Sequence, residues 1–352
     1  MAINLSIANT IATTRIMPGV VDGFFKMGPL TRMLRARFNR RWAGPTIQDN
    51  FLYAPMQVQA YKKGDTFGTD SKQTFAGCQF GPRYIEANIT EYLEDLEVEL
   101  TGPTAAFSKL KVDFWNAATT LSAFLEVNAL KNGQNVGGVD RTAFINGLEE
   151  ALTNGTQTTY SGATFPSYGG QLRSSVGQAL ISPTGLISSP SVAATSFRVL
   201  EHSYQSCVTG DETPQLGLTT KREIGFIGET FLAHQIVHTT QPEIAWPGMK
   251  FNQATIVQSD YCPGQDGVND ADLGNYHADG ETFWWLNFGP QGDDEAYIRL
   301  YLAASELFAF GFTGFKGARG DTKVSGQILF GGNLTVRGGA IRFMRALYGL
   351  TK

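Results

Sequence analysis

The chain has 352 residues; at about 150 residues per domain this allows about two domains and an ample buried core. Charged residues make up 17%, against about 25% in ordinary soluble domains, and 28 basic against 32 acidic residues leave a net charge of −4. This composition excludes a membrane-spanning, disordered, collagen-like or disulfide-scaffolded chain, and the whole chain is no magnet for nucleic acid. Cys78, Cys207 and Cys262 are widely spaced, with no Cys-x-x-Cys, which points to a reducing compartment. The opening MAINLSIANTIATTR has no charged start followed by an apolar block, so no signal peptide is expected.

Residues 1–50 read as an arm. Pro18, Gly19, Gly23, Gly28, Pro29, Gly44 and Pro45 leave room for one short helix between Pro29 and Trp42. Without a sustained apolar period this arm must lie along another part of the protein or another copy. FLYAPMQVQAY reads as extended, and Pro55 favours an edge position. After a polar, glycine-rich stretch, Ile85, Ala87 and Ile89 alternate with Glu86, Asn88 and Thr90 in strand period. The two extended runs and the polar tip between them predict a large two-stranded loop that wants a partner surface.

Beyond Pro103 the helical period is sustained: Leu110, Phe114, Ala117, Leu121, Phe124 and Asn128 fall three and four apart, as far as Gly133. About 30 residues at about 1.5 Å each make a helix about 45 Å long. A second helix is predicted from an N-cap at Asp140 through Phe144, Leu148 and Leu152 to Gly155. Residues 156–190 read as loops around short strands, 191–209 as a helix, LGLTT as a strand, and Glu223 to Thr239 as another helix. FNQATIVQSDYCP reads as a buried strand. The final segments TFWWLNFG, 297–315, VSGQILFGG, NLTVRGG and IRFMRALYG read as strands separated by glycines, with Phe308, Phe310 and Phe312 alternating.

Chemistry is sparse. His234 and His238 would share a helix face, but position 235 is Gln where a metallohydrolase needs a base, so they read as two polar residues on a half-exposed helix. Asp260, Asp266, Asp270, Asp272 and Asp279 do not match a calcium loop, because Val268 falls on a ligand position; they read as a solvated acidic loop. Phosphate-loop, nucleophile-elbow and dinucleotide fingerprints are absent. No catalytic residue, metal site or cofactor is assigned, and the chain is not expected to be an enzyme. One charge run stands out: Arg32, Arg35, Arg37, Arg40 and Arg41 in RMLRARFNRR. It reads either as a solvated helix face or as a surface for phosphate or an acidic neighbour, EYLEDLEVE being one candidate.

The arm, the extended loop, the long helix and the glycine-rich final sheet each need a neighbour, which describes a subunit built for assembly. Four segments carry a more specific likeness: GPRYIEANITEYLEDLEVEL leading into the helix at 103–132, DRTAFINGLEEALTNGT after it, KFNQATIVQSDYCPG, and the ending QILFGGNLTVRGGAIRFMRALYGL. In this order the chain resembles the major capsid proteins of tailed bacteriophages with the Hong Kong 97-type fold.

The resemblance implies an α+β chain divided into an N-terminal arm (1–50), an extended β-hairpin E-loop (51–101), the spine helix with the first part of a P-domain (102–156), an A-domain (157–280) and a return into the P-domain β-sheet (281–352). It implies self-association through hexamers and pentamers into an icosahedral shell around double-stranded DNA, with a portal, possible separate scaffolding or decoration proteins as partners, and no membrane. The basic cluster would then face the lumen or a neighbouring subunit, and Lys62, Lys63, Asp65, Asp70 and Lys72 would mark the intersubunit tip of the E-loop. A near-neutral subunit with its arginines on one arm suits a wall that must neither repel DNA nor hold it too tightly. An encapsulin-like nanocompartment, a tail or decoration protein, and a hydrolase using His234 and His238 are the competing readings.

Overall fold

The computed structural model describes residues 9–10, 12–17, 28–37, 39–56, 58–66, 72–92, 94, 103–135, 140–183, 193–231, 238–241, 246–269, 274–290, 296–317 and 322–351. Its strands are β1 (Asn39–Trp42), β2 (Ile47–Leu52), β3 (Phe75–Phe80), β4 (Arg83–Tyr92), β5 (Ser167–Tyr168), β6 (Gln171–Leu172), β7 (Ala193–Ala194), β8 (Leu216–Thr219), β9 (His238–Gln241), β10 (Trp246–Phe251), β11 (Ala254–Gln258), β12 (Glu281–Leu286), β13 (Ile298–Ala303), β14 (Ala309–Phe312), β15 (Lys316–Gly317), β16 (Lys323–Val336) and β17 (Arg345–Thr351). The longer helices are α1 (Pro29–Arg37), α2 (Pro103–Leu130), α3 (Phe197–Cys207) and α4 (Lys221–Phe231).

Two sheets organise these elements. The first is six-stranded and built on β16. Ten residues of β4 pair antiparallel with Lys323–Gly332 along one edge of β16; β13, β14 and β15 share its opposite edge, and β1 adds parallel to β13. The expected break at Gly331 and Gly332 lies inside β16. A side chain at Gly332 would collide with the carbonyl of Tyr301 on β13, so the glycine permits close strand approach rather than ending the strand. Helix α2 lies against this sheet: Leu110, Phe114, Leu121 and Leu125 are buried, and Phe114 packs edge-on against Phe312.

The second sheet has seven strands in the order β7-β17-β12-β8-β11-β10-β9. Strand β12 is buried along its whole length, which explains the unbroken apolar run TFWWL. Phe283 and Trp285 face a core shared with Leu200 and Tyr204 of α3 and Ile227 of α4, and Trp285 Nε1 donates to Ser203 Oγ (2.8 Å). Trp284 and Leu286 face the main core instead. Residues after 280 therefore divide between the sheets: β12 and β17 join the second, β13 to β16 the first.

Three sequence expectations need correction. The extended run at 85–90 does not pair with the run at 51–61: β2 pairs with β3, from Ile47↔Phe80 to Leu52↔Phe75, and β4 crosses to β16. Gly81 and Pro82 separate β3 from β4, and Pro82 has no N–H to carry a ladder across them. The helix predicted from Asp140 to Gly155 is a single turn, Leu148–Ala151. A side chain at Gly147 would collide with the Lys131 carbonyl at the end of α2, while Asn132 donates to Glu149 Oε2 (2.9 Å) and the Gly133 N–H to Glu150 Oε2 (3.1 Å). These tertiary bonds replace helical ones. Third, the helix from Glu223 ends at Phe231, and Thr239 lies in β9.

Candidate assembly surfaces

The β2–β3 hairpin has two unlike faces because strand side chains alternate. Ile47, Asp49, Phe51, Cys78 and Phe80 point into the core, whereas the cross-strand pair Leu52 and Phe75 is 60% and 58% exposed. Beyond the pair the chain carries Met56 (75% exposed) and Val58 (94%) into solvent. At the tip, Asp65 Oδ2 accepts from the Lys62 N–H (2.7 Å) and the Asp65 N–H donates to the Lys62 carbonyl (3.0 Å). Lys62, Lys63, Asp65 and Lys72 are all exposed; Asp70 lies outside the described residues.

The foot of the hairpin is fixed by buried polar contacts. Arg299 of β13 bonds Asp49 Oδ1 at 2.6 Å with both side chains buried. Burial pushes the Asp49 pKa up, with Arg299 and then Arg337 opposing the rise. The Gln79 N–H donates to the Gly169 carbonyl (2.8 Å), Gln171 Nε2 to the Gly77 carbonyl (2.8 Å), and Asn333 Nδ2 to the Gly81 carbonyl (2.8 Å). Asn333 also grips Asn146 through both its amide atoms.

The arm is fastened to its own chain. The N–H groups of Leu30 and Thr31, in the first turn of α1, donate to the two carboxylate oxygens of Glu126 on α2 (2.9 and 2.8 Å). Burial raises the Glu126 pKa, and these amide bonds counter it. Leu30, Met33 and Leu34 are buried beside it, and further along the arm Asn9 exchanges two hydrogen bonds with the backbone of Phe315.

The arginine cluster is divided. Arg32 is half-buried on α1; the side chains of Arg35 and Arg37 lie outside what the structure describes. Arg40 and Arg41 fall on β1, whose alternation sends them to opposite faces. Arg41 is exposed and donates to the Ala303 carbonyl (3.1 Å), and Arg40 is among the charges acting on Asp49. The acidic run does not meet them as a block. Glu91 is buried and bonds Lys109 of α2 (2.6 Å). Burial, with Asp113 hydrogen-bonded beside it, pushes the Glu91 pKa up to about 7.

His234 lies outside the described residues, and His238 opens β9 opposite Met249, so the two do not share a helix face. In the acidic loop, Asp260 bonds Lys221 (2.8 Å), and Asn275 ties the chain together through the Asp260 and Cys262 carbonyls (2.7 and 3.0 Å); Asp270 and Asp272 lie outside the described residues. Among the described residues no three His, Cys, Asp or Glu side chains gather as a metal site requires, and no helix is long and apolar enough to cross a membrane. The three cysteines are buried and unpaired.

No sequence-family model matches the chain, and no curated protein sequence does. Solved structures do. A subunit of the capsid asymmetric unit of cyanophage A-1(L) superposes with a TM-score of 0.63 at 12% identity, covering 98% of this chain and 96% of that one. The chain has the phage-capsid fold. A structure of Mycobacterium phage Patience matches at 0.52 and 11% identity over 100% of this chain and 91% of that one. The SrpI encapsulin of Synechococcus elongatus matches at 0.50 and 9% identity, covering 91% and 87%. The α+β architecture expected from the sequence is thus the one found.

Set on this capsid fold are an arm held down by Glu126, an exposed apolar hairpin end whose foot is held by Arg299 and Asn333, and an outer face of α2 with Val112 and Trp115 exposed. The sequence reading marked the charged tip but not Met56, Val58 or Trp115. The alternation M-Q-V-Q-A was the available signal for the first two.

Proposed function

We propose that the chain is a major capsid protein that self-assembles through hexamers and pentamers into an icosahedral shell around the double-stranded DNA of a tailed phage. The end-to-end likeness to the cyanophage capsid subunit carries this reading, because the match takes in the hairpin and arm as well as the two sheets. The run of exposed apolar side chains Leu52, Met56, Val58 and Phe75 on one hairpin supports a surface that another molecule covers. The role is architectural rather than catalytic, exercised in the virion after assembly in the host cytoplasm. The portal, a separate scaffolding protein and decoration proteins would be its partners, and DNA would touch the wall without sequence preference. Within this proposal the basic stretch Arg32, Arg35, Arg37, Arg40 and Arg41 serves the lumen or a neighbouring subunit, with Arg40 and Arg41 acting from opposite faces of β1. Reversing the charge of Arg40 and Arg41 is expected to reduce filled particles; wild-type yields of filled particles would remove these arginines from the assignment.

A second reading, an encapsulin-like compartment holding protein cargo, rests on the SrpI likeness, which is weaker than the cyanophage one. Electron microscopy of the protein expressed alone and with its neighbouring genes tests both. Closed shells or capsomer rings are expected, with nuclease-protected DNA inside the shells made with the neighbouring genes. Shells containing a protein cargo and no nucleic acid would favour the second reading, and dispersed particles of the 38.3 kDa chain mass under every condition would overturn both.

A further inference from the structure

Where the β2–β3 hairpin meets the turn after β16, Phe51, Phe75, Tyr297 and Phe343 wall a 450 Å³ cavity, within the range of small-molecule sites, about 300–1,000 Å³. Contacts outside the cavity set these walls. Tyr297 stacks on Phe343 with ring centroids 5.7 Å apart, and its hydroxyl donates to Glu212 Oε1 (2.7 Å). A β-carbon at Gly338 would run into the Phe51 ring, so glycine lets the turn close directly on that ring. Phe51 is buried whereas Phe75 is 58% exposed, which places the mouth of the cavity beside Phe75.

Two donors among the lining residues are unused. Arg337 is half-buried, and among the described residues its guanidinium hydrogen-bonds no acceptor; it acts on Asp49 and Tyr297 through its charge alone. The N–H of buried Gly338 likewise meets no acceptor among the described residues. The carboxylates nearby are engaged elsewhere: Asp49 bonds Arg299, and Glu212 bonds Tyr297 and Asn287. Arg342 adds a second cation, 4.7 Å above the Phe343 ring. Positive charge is therefore in excess beside aromatic walls.

We propose that this cavity binds a planar aromatic carboxylate, its ring among Phe51, Phe75, Tyr297 and Phe343 and its carboxylate accepting from Arg337 and the Gly338 N–H. Flat rings suit aromatic walls, because offset and edge-on arrangements keep the π-systems in contact. A carboxylate suits the paired N–H groups of a guanidinium. A neutral ring would leave both donors unmet, and a small inorganic anion would leave the apolar walls in water. Phe51 and Phe75 belong to the hairpin, Tyr297 and Phe343 to the body, so an occupied cavity ties one to the other. The inference goes beyond the capsid reading and does not depend on it.

The test titrates 2-naphthoate into the full-length, unassembled chain by calorimetry, with 2-naphthamide, octanoate and phosphate as comparators. One-to-one binding of 2-naphthoate is expected, about tenfold or more tighter than any comparator, the factor that one charge-assisted hydrogen bond supplies. Arg337→Met should weaken 2-naphthoate by about the same factor and leave 2-naphthamide unchanged. Lys250→Met removes an equal charge from an exposed position outside the cavity and should change neither. Phe75→Ala, at an exposed position that folding does not need, should weaken both naphthyl ligands. Saturating 2-naphthoate should also slow amide exchange in β2 and β3. No binding of 2-naphthoate, equal binding to wild type and Arg337→Met, or affinity matched by octanoate or 2-naphthamide overturns the site. Each of those results leaves the capsid reading standing, since particle formation is measured separately.

Discussion

Replacing Glu223 by Gln should leave stability near pH 5 unchanged and raise it progressively towards pH 9. Glu223 lies in the first turn of α4 and is fully buried; Thr195 Oγ1 donates to its Oε1 (2.7 Å), and Oε2 has no partner. Burial pushes the pKa up from about 4.5 to about 8; the Thr195 hydroxyl opposes the rise, and the Glu281 carboxylate adds to it. A carboxyl with a raised folded-state pKa holds its proton more tightly in the folded chain. Its contribution to stability is complete below about pH 4.5 and is lost as the pH climbs through about 8. A shift of about 3.5 pH units at about 1.4 kcal/mol each sets the full loss at about 5 kcal/mol. Glutamine keeps the shape and the acceptor for Thr195 but cannot ionise, so the variant should escape this loss. Urea unfolding of wild type and Glu223→Gln at intervals from pH 5 to pH 9 measures the difference. Two parallel pH profiles would show that the carboxyl is not held protonated and would refute the reasoning.

Three further substitutions probe the anchors. Glu126→Ala strips the buried N–H groups of Leu30 and Thr31 of their acceptors; at about 1–3 kcal/mol for each unsatisfied group the loss should reach about 2–6 kcal/mol, with residues 28–37 becoming protease-sensitive before the rest of the chain. An arm that stays resistant would mean that packing of Leu30, Met33 and Leu34 alone holds it. Asp49→Ala removes the carboxylate that the buried Arg299 bonds, a loss of about 3–5 kcal/mol, while Asp49→Ala with Arg299→Met should recover most of it; equal losses in single and double variants would contradict the pairing. Gly147→Ala drives a β-carbon into the Lys131 carbonyl and should lower stability by about 1–3 kcal/mol, read as a drop in melting temperature.

What the sequence displayed and what it hid follow from interaction range. The helix at 103–132 was legible because Leu110, Phe114 and Leu121 repeat at the helical period and all point into one core. The alternation of Ile85, Ala87 and Ile89 was equally plain as a strand, but its partner was not, since Ile85 pairs with Phe330 far along the chain and nothing local encodes that. Phe144, Leu148 and Leu152 mimicked a helix while Glu149 and Glu150 were committed to Asn132, Gly133 and Asn146. Of the surface features, the exposed tip at Lys62, Lys63 and Asp65 could be read from its polarity. The arginine run looked like one face only because a helix was assumed to continue through Arg41; the strand starting at Asn39 breaks it.

The anchors and the exposed loop belong to one physical problem. A long hairpin carrying Leu52, Phe75, Met56 and Val58 in water gains from association, but ordering a loose loop at the moment of binding would consume much of that gain. Asp49 with Arg299, Asn333 with Gly81 and Gln171 with Gly77 fix the foot of the hairpin before any partner arrives. These contacts are polar and directional, so they set the angle at which the hairpin leaves the body, where apolar packing alone would let it slide. Specific geometry at the foot and undirected attraction at the tip is the division expected of a subunit that must meet its neighbours repeatedly at nearly the same angle. Under the proposed assembly the low charge of the chain follows too, because a surface that becomes buried against other copies would carry few ions to desolvate.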